Sequence, residues 1–168
     1  AMMVIVSGVG SIIGFVTGGI IASKIGRKWT ILSGLGATVI SYALWIILTF
    51  TIGFNGTVPI WLYIIWFVKG LGMSLVHVNS YPMVVELCSS KKIGAFTGYY
   101  YASSMAAQTM TPILLGLLLL VPNFDWDILP IYATICLVIS TGIFFFIKNV
   151  KSTKTDFKKG LEALDVDD

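Results

Sequence analysis

Five apolar runs, Met2 to Ala22, Thr30 to Gly53, Pro59 to Leu87, Ile93 to Val121 and Ile128 to Ile147, occupy most of the chain and limit what it can become. Each reaches the ~20 residues that a helix needs to cross a bilayer. A chain of 168 residues that is 57% hydrophobic and 11% charged has too little polar surface to clothe a water-soluble domain. The runs are continuous rather than alternating, which argues against a β-barrel and for helices, the element that satisfies its own backbone in lipid. The expectation is an all-α membrane protein, with a five-helix bundle over residues 1–147 and a hydrophilic tail over 148–168.

Charge placement predicts the orientation. Lys24, Arg27 and Lys28 lie between the first two runs, Lys91 and Lys92 follow the third, and Lys148, Lys151, Lys154, Lys158 and Lys159 follow the last. The stretch Phe54 to Val58 is uncharged, and the fourth connection carries only Asp125 and Asp127. Because basic residues stay on the cytoplasmic side, the N-terminus is expected outside and the C-terminus in the cytoplasm. The net charge of +3 then reflects topology and calls for no nucleic-acid partner. Trp29, Trp61 and Trp126 fall at span ends, where interfacial aromatic belts form. The chain opens directly into a span, without a basic leader or a small-residue cleavage site. An odd number of spans with an outward start suggests the C-terminal piece of something larger.

Small residues mark the expected helix contacts. Gly10, Gly14 and Gly18 form a G-x-x-x-G-x-x-x-G stripe, with Ser7 and Ser11 beside it, and Ser33, Ala37 and Ser41 repeat the spacing on the second run. Such stripes let backbones approach closely in lipid. Pro82 and Pro112 each remove a backbone hydrogen bond inside a span and should bend it.

The polar residues within the spans carry the chemistry. Lys69 lies ten residues beyond Pro59, ~15 Å along a helix axis, where a lysine costs ~2.5–3.5 kcal/mol on insertion scales. Glu86, the acid in the same span, is 17 residues away, roughly 25 Å along the axis. Lys69 therefore either pairs with an acid from other helices, a solute or carbonyls in a wet cavity, or snorkels to the outer interface. At 100° per residue Lys69, Met73, Val76 and Ser80 share one face, flanked by His77 and Asn79. His77, the only histidine, suits either packing or proton coupling. Tyr101, Ser104, Gln108 and Thr111 form a polar stripe on the fourth span, fit to bond solute hydroxyls or neighbouring helices.

Other signals are discounted. Asn55-Gly-Thr57 matches a glycosylation sequon within a very short connection, and chance explains it better. Cys88 and Cys136 lack metal-ligand spacing, so neither a disulfide nor a metal site is indicated, and no cofactor is called for. Neither a phosphate-binding G-x-x-x-x-G-K-[ST] loop nor a nucleophile elbow is present. A multi-pass enzyme would usually need a cluster of His, Asp or Glu at one membrane face, and a single histidine speaks against it.

The stretch Gly19-Ile-Ile-Ala-Ser-Lys-Ile-Gly-Arg-Lys28 resembles the G-x-L-x-D-R-x-G-R-K loop of the major facilitator superfamily, through Gly19, Ile21, Lys24, Gly26, Arg27 and Lys28. Ser23 stands where that loop has aspartate, as in the degenerate copy between helices 8 and 9. Glu86-Leu-Cys-Ser-Ser-Lys-Lys-Ile-Gly94 resembles the pattern after helix 10, with Ser89 in place of the usual proline. The resemblance covers nearly the whole chain. It implies helices 8 to 12 of a twelve-helix fold, with helix 7 and the N-terminal half of the transporter as missing partners. It further implies a cytoplasmic gate built from Gly19, Lys24, Gly26, Arg27, Lys28 and Glu86, in which Arg27 and Glu86 interact. Lys69, His77, Asn79, Tyr101, Ser104 and Gln108 would line the substrate and ion pathway.

A narrower likeness, through Asn79-Ser-Tyr-Pro-Met-Val-Val-Glu86, Gly94-Ala-Phe-Thr-Gly-Tyr-Tyr-Tyr101 and Ala106-Ala-Gln-Thr-Met-Thr-Pro112, is to the sucrose and glycoside cation-symporter branch. It implies a sugar or glycoside as solute and a proton or sodium ion as coupling partner, in the lipid bilayer of the cell membrane. A channel or a non-transporting scaffold is the alternative.

Overall fold

The computed structural model describes residues 2–52, 58–88, 92–122, 126 and 128–147. The connection around Asn55, the acids Asp125 and Asp127, Lys91 and the tail 148–168 lie outside the described residues. Among the described residues five helices follow in order: α1 (Met2–Ile25), α2 (Arg27–Ile52), α3 (Ile60–Glu86), α4 (Ile93–Leu119) and α5 (Ile128–Phe146). All are long and apolar enough to cross a membrane.

The basic connection expected between the first two spans is a single residue, so Lys24, Arg27 and Lys28 sit on helix ends rather than in a loop. Gly26 makes this tight turn with φ of 89°, a conformation that costs an L side chain ~1–2 kcal/mol. Its N–H donates to Ala22 O at 2.9 Å and its carbonyl accepts from Thr30 N at 3.1 Å, so one glycine closes α1 and opens α2. Pro59 precedes α3 at φ −70°. Pro82 and Pro112 lie inside α3 and α4, and both helices run on past them.

α3 is the hub. Its one side packs on α1 through Gly10, Gly14 and Gly18, all buried. A Cβ at Gly10 would overlap Phe67 O, and one at Gly14 would overlap Ser74 Oγ. From α3 the approach is returned by Gly70, where a Cβ would overlap Ser7 O. Ser11 Oγ bridges the seam, donating to Ser7 O and Gly70 O at 3.0 and 3.1 Å. Backbones this close gain dispersion contacts along their length, the main attraction available between helices in lipid.

The other side of α3 packs on α2 by a reciprocal contact. A Cβ on Gly34 would come 2.6 Å from Gly72 O, and one on Gly72 would come 2.7 Å from Gly34 O. Here the expected stripe is corrected. Ser33 is exposed and Ala37 half-buried, while the buried line is Thr30, Gly34, Thr38 and Ser41. The pattern of spacing was right, but it is displaced around the helix because α3 presents Gly72 opposite Gly34. Ile31, Leu35 and Met83 form a small apolar core beside this contact, and Leu137 and Phe144 of α5 cover it. α4 and α5 contribute no buried residue of their own.

Candidate functional site

Two places concentrate charge and polarity. At the Gly26 end, Arg27 Nε donates to Glu86 Oε1 at 2.7 Å, tying the first residue of α2 to the last of α3. Both side chains are partly exposed, 32% and 22%, so the pair is worth about 1 kcal/mol at most. Its value is positional, since it fixes the α1–α2 turn against the end of α3. Beside it Lys28 Nζ donates to Phe145 O at 3.0 Å and lies 5.8 and 5.9 Å from the Phe145 and Trp29 ring centroids. A cation at the C-terminal end of α5 meets unsatisfied carbonyls and the negative end of the helix dipole. Lys24 and Gly19 are exposed, and a Cβ at Gly19 would meet nothing within 4 Å.

The second place lies between α2 and α3. Lys69 Nζ sits 4.4 Å from the Trp66 ring centroid and 5.6 Å from that of Tyr42. Trp45 completes the cluster, 5.7 Å from Trp66 and 5.9 Å from Tyr42. Ser41 and Ile65 line the same pocket. A desolvated cation over aromatic faces gains ~2 kcal/mol, against ~2.5–3.5 kcal/mol for placing a lysine mid-span. Lys69 is only half-buried, so the aromatic faces offset part of that cost. Sequence reasoning missed the cage, although a signal existed: Tyr42 and Trp45 share a face of α2, and Trp66 stands one turn before Lys69.

Of the remaining expected pathway residues, Asn79 is the one that the fold buries. It is fully buried in the α1–α3 seam, where its Nδ2 donates to Leu75 O at 2.9 Å and lies 3.5 Å from Gly18 O. Its Oδ1 has no partner among the described residues. Asn79 falls on the buried side because the glycines of α1 draw that flank of α3 inward. His77, on the opposite flank, is exposed. Tyr101 and Gln108 are also exposed, and Gln108 Nε2 donates to Ser104 Oγ at 3.1 Å within α4.

α3 and α4 meet through Tyr81, whose hydroxyl lies 3.2 Å from Thr97 Oγ1 and whose ring is 5.6 and 6.0 Å from those of Tyr100 and Tyr101. Tyr81 and Tyr100 were not singled out from the sequence. A cavity of about 330 Å³ also opens between α2 and α5, lined by Trp45, Thr49, Phe50, Trp126 and Leu129. The Thr49 hydroxyl is buried without a partner among the described residues.

Long apolar helices, small-residue seams and an ion pair joining helix ends define a multi-pass helical membrane protein. The chain belongs to the Major Facilitator Superfamily, whose family model matches residues 1–165. That membership points to secondary transport as the activity. No curated protein and no solved structure matches the chain.

Proposed function

We propose that the chain forms helices 8 to 12 of a twelve-helix secondary transporter in the cell membrane, with the Gly26 end cytoplasmic and the N-terminus outside. The solute is a sugar or glycoside, moved by alternating access and coupled to a proton or sodium ion. Arg27 and Glu86, with Gly19, Lys24, Gly26 and Lys28 around them, latch the cytoplasmic end. Lys69, His77, Tyr101, Ser104 and Gln108 face the solute and ion path, while Asn79 holds the α1–α3 seam.

The observation that carries this reading is the Arg27–Glu86 pair. It joins two helix ends at the end of the bundle that also carries Lys24, Lys28 and Lys92, where the charge rule puts the cytoplasm. A contact worth so little can form and break within a transport cycle. The sugar assignment draws on the likeness of the segments around Asn79–Glu86 and Gly94–Tyr101, together with the exposed hydroxyls and carboxamide of α4.

Counterflow of a labelled disaccharide across proteoliposomes holding the full-length protein tests the reading. Trans-stimulated exchange, enhanced by an imposed proton or sodium gradient, is the expected result. Flux without trans-stimulation would indicate a channel, and no flux of any solute a scaffold.

A further inference from the structure

Lys69 is, among the described residues, the only charged side chain away from a helix end. Its cage of Trp66 and Tyr42 supplies attraction but no negative charge. Glu86, the only acid among the described residues, is bonded to Arg27 at the far end of α3. Among the described residues the positive charge is thus held but not neutralised.

It is also at the edge of an open surface. Around α3, Lys69 lies between the side that meets α2 through Gly72 and the side that carries Met73 and the exposed His77. Tyr81 against Thr97 and Tyr100 sets an antiparallel register between α3 and α4. Counting the twelve residues from Tyr81 back to Lys69, and the same number forward from Tyr100, brings the Gln108–Pro112 region of α4 level with Lys69, roughly 18 Å from the tyrosines. At that level α4 carries hydroxyl and carboxamide groups that are exposed and uncharged.

Resting on the transport reading above, we propose that the transported solute carries an anionic group, and that Lys69 leaves its aromatic cage to bind it. A cation–π contact is a suitable resting place, because it holds an ammonium without a counter-ion and yields to a carboxylate or phosphate that offers charge-assisted hydrogen bonds. A neutral sugar would leave the charge unused, and a lysine there would be more costly than leucine or methionine for no gain.

The test compares exchange of a neutral glycoside, the same glycoside oxidised to a carboxylate at its terminal carbon, and a sugar phosphate, in proteoliposomes of the full-length protein. The expected ratio of anionic to neutral exchange is roughly tenfold or more, the size of one charge-assisted contact. The carboxylate and phosphate arms tell the two anions apart. Lys69→Gln should bring the ratio to about one, Lys69→Arg should keep it above one, and Trp66→Leu should keep or raise it, because the cage competes with the solute. Melting temperatures identify any variant that has lost its fold, and Lys69→Arg with Trp66→Leu then decides.

A wild-type ratio near one, or a preference untouched by Lys69→Gln, overturns the proposal and leaves sugar transport standing. If no sugar of either kind exchanges, the sugar assignment fails instead. Small carboxylates compared with their amides then decide the anion site: a Lys69-dependent preference supports it, and equal exchange overturns it.

Discussion

The α1–α2–α3 trio and the pair α4 and α5 are both apolar enough to span a membrane, yet they pack in opposite ways. In the trio, Gly10, Gly14, Gly34, Gly70 and Gly72 sit against the backbone or side chains of a neighbouring helix, at separations that no Cβ would fit. α4 has glycines too, but a Cβ at Gly94, Gly98 or Gly116 would meet nothing within 4 Å. α4 touches α3 mainly through the Tyr81 cluster, and α5 reaches α2 through Leu137, Phe144 and the Lys28 contact. Apolarity therefore selects the element, while the partner across a small residue decides which helices lock. The locked trio is a rigid unit by this reasoning, and α4 presents its polar stripe from a lightly held position.

The largest expected effect breaks that comparison at its centre. Gly14→Leu should destabilise the protein by about 3 kcal/mol or more, because its Cβ already overlaps Ser74 and the rest of the side chain has no room. Thermal melting in detergent measures it. An unchanged melting temperature would mean that α1 and α3 are not in close contact.

Gly26→Ala comes next, with an expected loss of about 1–2 kcal/mol. Space is not the cause, since nothing lies within 4 Å of the new methyl; the φ of 89° is. Restoration of stability by Gly26→Asn relative to Gly26→Ala would identify the cause as backbone conformation, because asparagine tolerates this region better.

At the same end, Arg27→Glu and Glu86→Arg should each cost up to about 1 kcal/mol, and the double exchange should recover part of it. Transport per inserted molecule is the more sensitive readout, because the pair is expected to hold one access state. Simple addition of the two defects would separate the residues functionally despite their 2.7 Å contact.

The smallest effect sharpens the other side of the comparison. Gly98→Ala should leave stability unchanged or raise it by a few tenths of a kcal/mol to about 1, as alanine is the better helix former. A loss comparable to that at Gly14 would show that another helix of the full transporter closes on α4 at Gly98.

The five spans were legible within a few residues because hydropathy over ~20 residues is a local property with one helical solution in lipid. The α1 glycine stripe was equally legible, since three glycines at fourth positions have one face. The Arg27 and Glu86 juxtaposition came from a motif resemblance, and the structure brings the two together. The burial of Asn79 in the α1–α3 seam was not legible, because a helical wheel gives the angle between side chains but not which side a neighbour covers. The cage around Lys69 was missed for the same reason: Tyr42 lies on another helix, 27 residues away in sequence.

By itself, then, the sequence determined which segments are helices, where α1 is narrow enough to be approached, and which end of the bundle is basic. These follow from residue type and spacing along one chain. Only the tertiary structure decided that α3 is the hub, that Gly34 meets Gly72, that Asn79 is sealed in a seam and that Lys69 rests on aromatic rings. Each of these depends on the rotation of one helix against another, and that is set by complementary surfaces far apart in the chain, which no single helix's periodicity contains.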